Sequence, residues 1–116
     1  MKIISLLFAI VLLTMTLSCK HVVQYDCTGV APTYTNNIKP ILDAACATEH
    51  CHTSGHASSG IDLSTYAGSS AASNKKSFMG SIQHKPFYQK MPKNQPIMAD
   101  AEIHLLYCWI QNGSPE

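Results

Sequence analysis

At 116 residues the chain has room for one domain, and three Phe, one Trp and 8% aromatic content give it little with which to build a large apolar core. Its formal net charge is +1, with eight basic residues, all of them Lys. The lack of Arg speaks against recognition of nucleic acid or phosphate, where the bidentate guanidinium is favoured, and a domain this small leans on disulfides, metals or cofactors for stability.

The N-terminus predicts an export signal over residues 1–18. Lys2, the apolar run from Ile3 to Met15 and the Thr16-Leu17-Ser18 segment supply its charged, apolar and cleavage regions. The run is too short to span a bilayer comfortably. Leu17-Ser18-Cys19 also resembles the box cut by lipoprotein signal peptidase, with Thr16 where Leu is usual, and cleavage there leaves a lipidated Cys19 as the first residue. Residues 19–32 have no period and predict a lipid-anchored tether running into an irregular arm that carries Cys27. Residues 33–116 predict the folded domain, in a compartment that permits disulfides.

Within that domain a helical pattern begins near Tyr34 or Thr35. Ile38, Ile41, Leu42 and Ala45 follow the i, i+3, i+4, i+7 spacing of one buried face, and Pro40 belongs in a first turn. Residues 53–60 are a loop by composition. Ile61 and Leu63 precede Ser64 and Thr65, either of which can cap a short helix, but the Ala/Ser/Gly run from Ala67 to Asn74 is weakly helical at best. Lys75 to Gln83 predicts a helix, since Phe78 and Ile82 stand one turn apart beside Met79. Prolines at 86, 92 and 96 exclude continuous helix from Lys85 to Pro96. The last helix runs from Ala99 or Asp100 to Asn112, with Ile103, Leu106, Tyr107 and Ile110 as its stripe and Leu105 and Trp109 widening it. Asp100 and Glu102 suit its N-terminus, and Gly113 its end. No strand alternation is visible. The fold class is therefore all-α, with three to four short helices and long loops.

The stretch Cys46-Ala-Thr-Glu-His50-Cys51-His52 carries the chemistry. Two thiols with a His directly after the second form the signature of c-type haem attachment, in which the thiols add across the haem vinyl groups and the imidazole binds iron. Four residues separate the cysteines here. Residues on a regular helix advance by ~100° each, so thiols five apart point away from each other, and joint use of Cys46 and Cys51 demands a helix break with Ala47 to His50 bulged outward. His52 takes the proximal position by adjacency. Candidates for the distal one are Met79, Met91, Met98, His21, His50, His56, His84 and His104. Met91 stands out because Pro92 rigidifies an irregular loop beside it, and His84 is second. Met79 and Met98 are read as core, and His104 as surface or partly buried.

Ile38-Lys-Pro-Ile41 leading into Cys46-x4-Cys51-His52, then Gly60-Ile-Asp-Leu63-Ser-Thr-Tyr66, Met91-Pro-Lys93, Glu102-Ile103 and Trp109-Ile-Gln-Asn-Gly113 resemble the small monohaem c-type cytochrome domains of bacterial envelope proteins and lipoproteins. The resemblance covers most of residues 33–114. It implies a small cytochrome c-like fold around one covalent haem c, with thioethers at Cys46 and Cys51, His52 proximal and Met91 distal. With both axial positions filled it implies an electron carrier of the bacterial cell envelope rather than an enzyme. The first and last helices pack together in such a fold, which brings Cys27 near Cys108 and implies a disulfide between them.

Lys75, Lys76, Lys85, Lys90 and Lys93 lie in a stretch without an acidic residue, where they can ring the haem edge and steer an acidic redox partner protein, or serve only as solvated surface charge. Two other functions compete. His50, His52 and His56 beside Cys51 could bind Zn or Cu in an envelope lipoprotein, although a second short-spaced ligand pair is missing. Alternatively Cys46 bonds to Cys51 and the domain is a disulfide-stapled interaction module.

Overall fold

The computed structural model describes residues 24–116. The expected export signal, Cys19 and His21 lie outside the described residues. Among those described, no helix is long and apolar enough to cross a membrane.

Thr33 is extended and its hydroxyl accepts from the Asn36 N–H, so helical winding starts at Tyr34. It starts as a π-helical turn, Tyr34–Ile38, and continues as α1, Lys39–Ala45. Pro40 then sits in the first turn of α1. The wide turn thus reconciles winding from Tyr34 with a proline that has no N–H to give. Ile38 and Leu42 of this stretch are fully buried.

α1 stops at Ala45, so the expected helix break before Cys51 is present. Cys46 leaves helical geometry, and its N–H and that of Ala47 both donate to Leu42 O. A short ribbon follows, β1 His52–Thr53 antiparallel to β2 His56–Ala57, turning at Ser54-Gly55 with Gly55 at φ 83°. This corrects the expectation of no strand: two residues per strand are too few for any alternation to register in the sequence.

α2, Tyr66–Ser73, is the short helix that the Ser64-Thr65 cap leads into, and it is firmer than its composition suggests. Its Ser/Gly/Ala composition is weak in isolation, yet Thr65 Oγ1 caps it by accepting from Gly68 N–H at 3.2 Å. Packing supplies the rest. Ser69 is fully buried and donates to Leu63 O at 3.1 Å; Ser73 donates to Ser70 O and accepts from Ser114 Oγ at 3.0 Å. At Gly68 a Cβ would collide with the Asp62 carbonyl. Small residues let this helix sit directly on the preceding chain, and internal acceptors satisfy the hydroxyls that it buries.

α3, Lys76–Ile82, buries Ile82 and half-buries Phe78 and Met79. α4, Asp100–Gln111, carries Asp100 and Glu102 in its first turn, and the Glu102 carboxylate accepts from Ala99 N–H. Its end is the expected one, with Gly113 at φ 85° just past the helix. The buried face is rotated from the expected stripe: Ile103, Leu106, Cys108 and Trp109 are buried, while Tyr107 and Ile110 are half-exposed. Trp109 is central rather than flanking because it packs against Tyr34 with ring centres 6.2 Å apart, and because the tail turns back to accept its indole N–H at Pro115 O, 2.8 Å.

The arm before Tyr34 is bound to α4. A disulfide joins Cys27 to Cys108 across 81 positions of sequence. Around it the Tyr25 hydroxyl donates to Asp100 at 2.6 Å, Tyr25 stacks on His104 at 5.0 Å, His104 Nε2 donates to Asp26 O at 2.8 Å, and Asn112 donates to Val30 O. The core of Ile38, Leu42, Leu63, Ile82, Leu106 and Trp109 lies between the first helical stretch, α4 and the intervening short helices.

Candidate functional site

The break after α1 sets the geometry. Because Cys46 ends the helix and His50 adopts φ 65°, the chain doubles back, and His52 N–H donates to Cys46 O at 3.1 Å. His52 O accepts from Leu63 N–H at 2.7 Å, which binds the segment to the Ile61–Leu63 strand-like stretch. The imidazole is held as well, its Nδ1 lying 3.1 Å from Ile61 O. A carbonyl can only accept, so Nδ1 carries the proton and a neutral ring presents an unprotonated Nε2. Metal-binding histidines are oriented in this manner, with one ring nitrogen donated to a backbone carbonyl.

The Ile61 carbonyl is itself braced. Asp62 accepts from both the N–H and the hydroxyl of Ser64, at 2.9 and 2.6 Å, which holds its carboxyl below the usual range. Ser64 Oγ in turn accepts from Ser54 N–H. The Ser- and Gly-rich loop therefore positions His52 through a network that its composition does not advertise.

Cys46, Cys51, His52, Met91 and Met98 line one cavity of about 1030 Å³. Its floor is apolar, formed by Leu63, Ala72, Ile82 and Met98, all buried. Its rim is polar and open to solvent, with Lys75, Gln89, Lys93 and Gln95 exposed. Small-molecule sites run from about 300 to 1,000 Å³; this one is at the upper end and suits a large apolar cofactor that leaves an edge in water.

Cys46 and Cys51 are not bonded to each other, which removes the observation that a Cys46–Cys51 staple would need. Cys46 is buried, Cys51 exposed. Burial, then the proximity of Cys51 and Glu102, pushes the Cys46 thiol up to about 11. Cys51 is expected to react with iodoacetamide well before Cys46 at about pH 8, and Cys46 to catch up only as the pH approaches its raised value, because the thiolate is the nucleophile. Peptide-level mass spectrometry reads this directly, and equal labelling of both at about pH 8 would contradict it.

The distal candidates separate. Met91 and Met98 line the cavity; Met98, expected in the core, is both buried and on the cavity wall. Met79 packs against the core and does not line the cavity. His84 is also absent from the wall: its Nε2 donates to Met91 O at 3.1 Å. His50 reaches the rim and meets exposed His56 edge-on at 5.3 Å. His104 is at the arm, away from this cavity.

Among the described residues, the three His, Cys or carboxylate ligand atoms that converge within 4.8 Å belong to Cys27, His104 and Cys108. The two sulfurs are joined in the disulfide and the imidazole proton is committed to Asp26 O, so this Cys/His cluster has no free thiolate to offer. The Cys51, His50, His52 and His56 group, considered for Zn or Cu, does not converge in this way.

All five clustered lysines are exposed. Residues 75–98 hold those five and no acid, while the other described residues hold one lysine and seven acids. Of the five, Lys75 and Lys93 line the cavity, which also has Glu102 on its wall. Comparison with protein-family models, curated proteins and solved structures finds no match to this chain.

Proposed function

We propose that this domain is a small c-type cytochrome that holds one covalent haem in the cavity and carries single electrons. The observation that carries the reading is His52: its ring is pinned by Nδ1 on Ile61 O, leaving Nε2 free, at the wall of a large apolar-floored cavity that also presents two unpaired thiols and a thioether. The donor set fits the group. Cys46 and Cys51 would hold it through their thiols, and His52 and Met91 would hold its iron, with Met98 the neighbouring alternative to Met91. Bound there, a haem supplies a one-electron iron couple, and a thioether ligand raises its potential relative to a second imidazole.

The residues of the chain do the remainder. Leu63, Ala72 and Ile82 exclude water from the floor, and the open rim leaves an edge for electron exchange. Lysines 75, 76, 85, 90 and 93 steer an acidic redox partner to that edge. Held by both His52 and Met91, the group would supply electron transfer rather than a place for substrate. Export by the N-terminal signal and lipidation of Cys19 would fix the domain to a membrane of the bacterial cell envelope.

The test is expression with export and a haem-maturation system, followed by a denaturing gel stained for haem peroxidase activity. Covalent stain is expected in the wild type and none in the Cys46→Ala, Cys51→Ala double variant. A colourless wild-type protein containing stoichiometric zinc or copper would overturn the proposal.

A further inference from the structure

We propose that His84 is a positioning residue for Met91, holding the peptide that bears the thioether against the cavity wall by donating its Nε2–H to the Met91 carbonyl. The inference rests on the cytochrome reading and adds to it a residue that has no contact with the cavity.

Met91 lies in no regular element, and the six residues before it, 85–90, are all exposed. Apolar burial therefore does little to locate it. Its backbone is instead pinned on both sides: Met91 N–H donates to Ser81 O at 3.1 Å, and Met91 O accepts from His84 Nε2 at 3.1 Å. Both partners are at the end of α3 or directly after it, so the thioether is referenced to a helix that packs into the core. The hydrogen bond also settles the role of the imidazole. A carbonyl accepts only, so Nε2 is the donor and is committed to the peptide.

Two local features serve the same end. His84 N–H donates to Ser81 O, Lys85 N–H donates to Gly80 O, and Tyr88 folds onto Gly80, where an added Cβ would stand 2.6 Å from its ring. The loop is thereby folded back onto α3, bringing Met91 within reach of His84. His84 itself is in the left-handed region at φ 51°, where glycine or asparagine is the economical choice. A histidine there accepts a backbone cost and provides a long, rigid donor that neither of those residues has.

The experiment uses the haem-loaded full chain and asks how easily the distal ligand is displaced. Ferric wild type, Met91→Ala and His84→Ala, His84→Asn and His84→Gln variants are titrated with imidazole while the thioether-to-iron charge-transfer band is followed. Asparagine suits the backbone conformation but is too short to reach Met91 O, which guards against a folding defect in the alanine variant; glutamine carries an amide donor near the original Nε2. Imidazole is expected to bind about tenfold more tightly to the Ala and Asn variants, the equivalent of one net hydrogen bond, with haem content unchanged and with much of the loss restored by Gln.

Wild-type imidazole affinity in both His84→Ala and His84→Asn, with strong binding by Met91→Ala, would overturn the positioning role and leave Met91 as the ligand. A wild-type spectrum and affinity in Met91→Ala would overturn the distal assignment and this proposal with it. A full chain that takes up no haem overturns both readings.

Discussion

Replacing Cys27 and Cys108 together by alanine is expected to lower the folding stability by up to about 4.5 kcal/mol, the chain-entropy value for a closed loop of this length. The bond joins positions 81 apart, and the loop it closes contains the first helical stretch, the cysteine–histidine segment, the cavity and most of α4. Cross-linking so much chain restricts the unfolded ensemble far more than the native one. Alanine is the appropriate substitute because Cys108 is fully buried and a serine would bring an unpartnered hydroxyl into the core. The arm keeps other holds on α4, through Tyr25 on His104, Tyr25 to Asp100 and Asn112 to Val30. The double variant should therefore still fold at low temperature and, under the proposed function, still take haem. Denaturant titrations of the two proteins, with haem content measured in parallel, check both halves. An unchanged midpoint would show that the cross-link contributes nothing, and loss of haem in a folded variant would tie the disulfide to the site.

Trp109→Ala is expected to cost about 3 to 5 kcal/mol, the range for truncating a large buried aromatic. Because small domains are stable by only about 5–15 kcal/mol, that loss would leave much of the population unfolded near physiological temperature. Trp109 is fully buried and meets two distant parts of the chain, Tyr34 and the C-terminal tail. Its ring meets Tyr34, which in turn meets Tyr66 at 5.4 Å, so the π-helical turn, the start of α2 and α4 share one aromatic cluster. Its indole N–H donates to Pro115 O and its own carbonyl accepts from Ser114 N–H, while Tyr34 N–H also donates to Pro115 O. Removing the ring thus opens a cavity and takes away one of the hydrogen bonds that hold the C-terminal tail, while the backbone bonds at Ser114 N–H and Pro115 O remain. Trp109→Phe, which keeps most of the apolar volume and loses one hydrogen bond, should cost about 1–2 kcal/mol. Thermal unfolding followed by circular dichroism separates the two; equal effects from Ala and Phe would mean that the indole N–H, not the packing, is what matters.

Much of this architecture can be read from residue order. α3 and α4 follow from apolar side chains one turn apart, and Gly113 marks the end of α4 because its left-handed backbone suits a residue without Cβ. The break after Ala45 agrees with the angular argument, in which two thiols five positions apart could face one ligand only where the helix stops. α2 was not legible in this way. Its serines are poor helix formers until Leu63 O, Ser70 O and Ser114 Oγ become their partners, and two of those three come from outside the helix. The rotation of the α4 stripe toward Trp109 has a similar origin, because periodicity identifies an apolar face but not the neighbour that claims its centre.

The site divides along the same line. The adjacency of Cys46, Cys51 and His52, and the proline-marked irregular loop around Met91, were legible in the sequence, because residue identity and short-range spacing are local. What only the tertiary structure decided is which atoms are free to act. The Cys27–Cys108 bond that the family resemblance implies is formed only in the fold, Nδ1 of His52 is committed to Ile61 O so that Nε2 is left over, and His84 is drawn onto Met91 O instead of standing in the cavity. Each of these depends on hydrogen bonds or a covalent bond between positions 7 to 81 apart. No local rule of spacing encodes such pairings, because the chain has to fold before a donor meets its acceptor.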